Sequence, residues 1–84
     1  MRTKLIRQTI LEALKPAQGY ALPVDALRMH VDALLRPPLT EEEWSSHIEW
    51  LEDKCLIVRI PCEFDDELVQ FAITEKGRVA LRTL

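Results

Sequence analysis

The sequence has 84 residues, 48% of them hydrophobic and 30% charged, with a net charge of −3. That is one small domain, 1–84, whose fold buries only about 60–65% of the surface of its extended chain. The composition excludes a disordered chain. No apolar run approaches the roughly 18–20 residues of a membrane span, and Met1-Arg2-Thr3-Lys4-Leu5-Ile6-Arg7 returns to charge too soon for a signal peptide. Two cysteines are too few for a disulfide scaffold, so the cytoplasm is the expected compartment.

Prolines and glycines divide the chain into short elements. Residues 2–15 predict a helix, with Ile6, Ile10, Ala13 and Leu14 on one face. Lys15-Pro16 ends it, because a residue before proline avoids the α region. A loop with Gly19 follows. The second helix starts near Pro23, a residue tolerated in a first turn, and its apolar stripe is Val24, Leu27, Val31 and Leu34. Arg36-Pro37-Pro38 ends it. Thr40 with Glu43 three residues on is a capping-box pattern for a third helix to about Lys54. Trp44, Ile48 and Leu51 line its inner face, and His47 lies at the rim. Leu56 to Ile60 is a β-branched strand run, which Pro61 weakens or places at an edge. Phe64-Asp65-Asp66-Glu67 reads as a polar turn. Val69, Phe71 and Ile73 alternate with Gln70 and Ala72 at strand period. Thr74 caps a last short helix through Leu81, interrupted early by Gly77.

Two strands joined by a turn are marginal alone and need a helical layer over their apolar face. Three helices, a hairpin and a short helix give an α+β winged-helix architecture, a variant of helix-turn-helix. Its extra short strand would come from Ala21-Leu22 or from Leu39. The stretch Trp50-Leu51-Glu52-Asp53-Lys54-Cys55-Leu56-Ile57, then a hairpin and Thr74-Glu75-Lys76-Gly77, resembles winged-helix regulators of the MarR-like group. A nearer resemblance is to small winged-helix proteins of Mu-like prophages, which share the N-terminal Ile-Leu helix, a Gly-Tyr loop (here Gly19-Tyr20) and the Trp-Leu pair. One departure is Cys55, where such families place the glycine that suits a left-handed helix cap.

Charge is uneven. Residues 1–40 carry six basic and three acidic residues, and residues 41–84 carry five basic and eleven acidic. The resemblance implies that Glu42, Glu43, Ser46 and Trp50 face outward on the third helix, with Glu63 to Glu67, including Asp65 and Asp66, at the wing tip. Both surfaces have the wrong sign for phosphate, whose neutralisation by Lys and Arg supplies most non-specific affinity. Glu41 to Glu43 also have a simpler role: acidic residues complement the dipole of a first turn, by roughly 0.3–1 kcal/mol each. Arg2, Lys4 and Arg7 on the first helix are the candidate phosphate contacts if DNA is bound, or else a solvated helix face. Trp50 is either an interface anchor or a ring folded over the hairpin.

His30 and His47 lack partners at metal-ligand spacing, and Cys55 and Cys62 read as small buried or half-buried thiols, a disulfide between them being disfavoured in a reducing compartment, so no metal or cofactor is expected. No nucleophile–base pattern and no glycine-rich phosphate loop is present, so neither an enzyme nor a small-molecule substrate is expected. The first functional expectation is a regulatory or assembly module of phage type that binds protein, or itself as a homodimer, through the acidic third helix, Trp50 and the wing. The second is a DNA-binding regulator; an enzyme comes last.

Overall fold

A computed structural model describes residues 2–17, 21–62 and 65–83. Helix α1 is Thr3–Leu14, followed by a 3-10 turn at Lys15–Ala17; the Gly19-Tyr20 loop lies outside the described residues. Then come strand β1 (Leu22–Pro23), helix α2 (Val24–Leu34), helix α3 (Glu41–Asp53), strands β2 (Ile57–Cys62) and β3 (Asp65–Ile73), and helix α4 (Glu75–Thr83). The sheet is antiparallel with order β1-β3-β2. The short first strand is thus Leu22-Pro23 and not Leu39.

The core follows the helical stripes. Ile6, Ile10, Ala13 and Leu14 of α1 are buried against Leu27 and Val31 of α2, Trp44, Ile48 and Leu51 of α3, and Phe71 and Ile73 of β3. Each buried Ile, Leu or Val among them contributes about 1.5–3 kcal/mol relative to exposure. Leu34 departs from its expected place: it is 61% exposed, and Leu35 points into the core instead. The cause is the early end of α2, since Leu35 is already extended and the chain turns there. The Thr40 capping box forms as its spacing predicts. Thr40 Oγ1 accepts from the Glu43 N–H at 3.1 Å, and Glu43 Oε1 accepts from the Thr40 N–H at 3.2 Å.

The C-terminal end of α3 explains Cys55. Its φ is +61°, the left-handed region that favours glycine. The Cys55 N–H donates to the Glu52 carbonyl at 2.9 Å and the Leu56 N–H to Leu51 at 3.0 Å. Those two bonds define a Schellman cap, with cysteine in glycine's seat.

The hairpin is longer than the sequence suggests. Ile57 pairs with Ile73 and the register holds to Pro61↔Val69, then breaks before Cys62↔Asp65. Asp65, Asp66 and Glu67 therefore belong to β3 and do not form a turn. The irregularity lets β3 carry extra residues without ending the ladder. β2 is an edge strand, which is where Pro61 is tolerated.

Gly77 does not interrupt α4. It is buried inside the helix, where a Cβ would stand 2.2 Å from the Leu56 carbonyl oxygen and 2.9 Å from Ile73 Cγ1. The Leu56 carbonyl also accepts from the Thr74 N–H at 3.1 Å and lies 3.0 Å from the Thr74 hydroxyl. Thr74 Oγ1 in turn accepts from the Gly77 N–H at 3.0 Å, the predicted cap. The start of α4 is thus pinned to the corner between α3 and β2.

Candidate functional site

Helix α3 is the element a winged helix presents outward, and its three sides differ. Trp44, Ile48 and Leu51 face the core. Opposite them, at i, i+4, i+7 and i+11, stand Glu42, Ser46, Glu49 and Asp53, all exposed. Of the six acidic residues on α3, three are paired: Glu41 with Arg28, Glu43 with Arg2, and Glu52 with Arg59. Glu42, Glu49 and Asp53 have no ion-pair partner among the described residues. The outward stripe therefore carries three carboxylates and no cation.

The flank of α3 towards α1 is different in kind. Arg2 donates to the carbonyl oxygen of Pro37 and pairs with Glu43 at 3.2 Å. Arg7 lays its guanidinium over the Trp50 ring, 3.6 Å from the centroid, and its Nε donates to His47 Nδ1 at 3.3 Å. That donation needs a neutral imidazole. Burial and then the Arg7 charge hold His47 below its usual value near 6.5, against a smaller opposite pull from Glu43. Glu43 itself is held below the usual carboxylate range, chiefly by the Thr40 backbone N–H and also by Arg2.

The expected interaction residues are accordingly split. Glu42 and Ser46 share the outward stripe, while Glu43 and Trp50 turn towards α1. Asp65 and Asp66 begin β3; their side chains, like Glu63 and Phe64, lie outside the described residues. Among the candidate phosphate contacts, Arg2 and Arg7 are engaged within the fold and Lys4 is exposed. Glu49 and Asp53 complete the stripe although they were not expected there. Their spacing from Glu42, opposite the Trp44–Ile48–Leu51 face, carries that information. On the wing, Val58 and Ile60 are exposed, and Arg59 lies 5.5 Å from the Phe71 ring centroid.

Among the described residues no group of three or more His, Cys, Asp or Glu could hold a metal ion, and no helix is long and apolar enough to cross a membrane. The three-helix core, the short strand and the hairpin define an α+β winged-helix domain. No family model and no curated protein matches the sequence. Among solved structures, RosR of H. salinarum is similar, with a TM-score of 0.73 and 18% identity. The match covers 93% of this chain and 66% of that one, and at this identity it shows the fold alone.

Proposed function

We propose that the protein is a small, non-catalytic regulatory or assembly module of the prophage winged-helix type, working in the cytoplasm through protein contacts at the outward face of α3. One observation carries this reading: the stripe Glu42, Ser46, Glu49, Asp53 holds three carboxylates with no ion-pair partner among the described residues, where DNA-binding winged helices need cations. A basic protein surface complements such a stripe.

A DNA-binding regulator is the second reading. The winged-helix fold and its likeness to RosR support it, and exposed Lys4 is available to phosphate. Anisotropy of a labelled mixed-sequence duplex, at low salt and at about 200 mM, separates the two, because phosphate-driven binding falls steeply with salt. The first reading expects no binding in either buffer. It also expects the double variant Glu42→Lys/Glu49→Lys to fold normally and to gain salt-sensitive DNA binding. Tight low-salt binding by the unaltered protein would overturn it.

A further inference from the structure

Helix α2 carries the two most exposed large apolar side chains among the described residues, Met29 at 73% and Leu34 at 61%. Its inner side faces the core through Leu27 and Val31. Its outer side is exposed at Ala26, Met29, His30 and Ala33, which stand at i, i+3, i+4 and i+7. No Asp, Glu, Lys or Arg belongs to that set, in a chain that is 30% charged. On the flank, Arg28 and Asp32 pair with each other. Free charge stands only at the ends, with Asp25 in the first turn and Arg36 just past the last. Both are exposed, and neither has an ion-pair partner among the described residues.

We infer that this face of α2 docks on the same face of a second copy of the chain, the two helices running antiparallel about a two-fold axis between Met29 and His30. Four residues at i, i+3, i+4 and i+7 make the hole that receives a knob from a facing helix. Met29 is the knob, and the small side chains of Ala26 and Ala33 leave room for it on the other copy. They also let the axes approach to the short end of the usual range of about 8–10 Å. Leu34, which the early end of α2 leaves outside the core, falls on Ala26 of the other copy. The ends of the helix select both the occupant and its direction. Antiparallel pairing brings Asp25 of each copy within arginine reach of Arg36 of the other, so one symmetry operation makes both opposite-sign contacts. Parallel pairing would set Asp25 against Asp25 and Arg36 against Arg36. The contact is small. One side of an 11-residue helix, about 16 Å long, covers less than the roughly 800 Å² per partner of a standard interface. The dimer is therefore weak, with a dissociation constant of about 0.1 mM. The inference is independent of what the outward face of α3 contacts, since Glu42, Ser46, Glu49 and Asp53 take no part in it.

Sedimentation equilibrium of the full chain, from about 20 µM to about 1 mM, reads the association directly. A monomer–dimer equilibrium with no larger species is expected, because a two-fold contact closes on itself. Met29→Lys and, as a second variant, Ala33→Lys should each weaken it about tenfold or more at unchanged urea midpoint, since both positions are exposed in the monomer. Asp25→Arg alone and Arg36→Asp alone should each weaken it about threefold, and the two together in one chain should restore it. Leu5→Lys and Val79→Lys, at exposed apolar positions on α1 and α4, should leave it unchanged. Four results would overturn the inference: a monomer at every concentration, growth beyond the dimer, association lost with Leu5→Lys or Val79→Lys and kept with Met29→Lys, or a paired charge swap that fails to restore what the single swaps remove.

Discussion

Cys55 holds a backbone conformation that costs an L-residue about 1–2 kcal/mol and costs glycine almost nothing. Glycine gives back part of that gain as extra freedom in the unfolded chain. Cys55→Gly should therefore raise stability by about 0.5–1 kcal/mol, read as a higher urea midpoint at unchanged slope. Gly77→Ala should do the opposite, although alanine is the better helix former. Its methyl would meet the Leu56 carbonyl, which cannot retreat while it accepts from Thr74, and the expected loss is about 1–3 kcal/mol. His47 sets a pH dependence. Its folded pKa is below the unfolded one, so the unfolded chain takes up the proton first as pH falls. The contribution of His47 is full above the unfolded value near 6.5 and is lost progressively below it. Urea midpoints at about pH 8 and pH 5.5 should show a lower midpoint in acid, and His47→Gln should reduce the difference. These residues show how unevenly sequence discloses structure. Thr40 and Glu43 announced their cap because both partners lie within four residues. Gly77 read as a helix breaker because its reason, Leu56, is 21 positions away.

Single elements behave as their local chemistry dictates, until tertiary contacts intervene. Thr40→Ala removes one half of the capping box and should cost about 1 kcal/mol, seen as a lower melting midpoint with α3 otherwise intact. Glu43→Lys should cost more than Glu42→Lys, since Glu43 serves both the cap and Arg2 while Glu42 serves neither. Helix α1 and α3 were legible from period alone, because each packs one continuous stripe. The hairpin was less so. Asp65, Asp66 and Glu67 have turn-forming composition, yet they extend β3 because pairing with β2 overrides local preference. The site was half legible. The resemblance to winged-helix regulators placed Glu42 and Ser46 outward, but Trp50 could be assigned only once α1 put Arg7 over its ring.

Across the whole molecule, the charge asymmetry of the sequence turns inward. Arg2, Arg7 and Arg28 of the basic half meet Glu43, Trp50 and Glu41 of the acidic half, along the seams between α3 and the first two helices. What remains outward on α3 is negative, and this sign is what the proposed partner contact uses. The sheet contributes a separate property. β2 is a free edge that exposes Val58 and Ile60, the kind of surface on which strands of other molecules add. Pro61 has no N–H to offer such a strand, and proline on an edge is a recognised barrier to sheet extension. Pro61→Val should leave the hairpin paired and increase light scattering at high protein concentration. One ring in the wing thus governs how crowded a solution of this protein can become before its sheets join edge to edge.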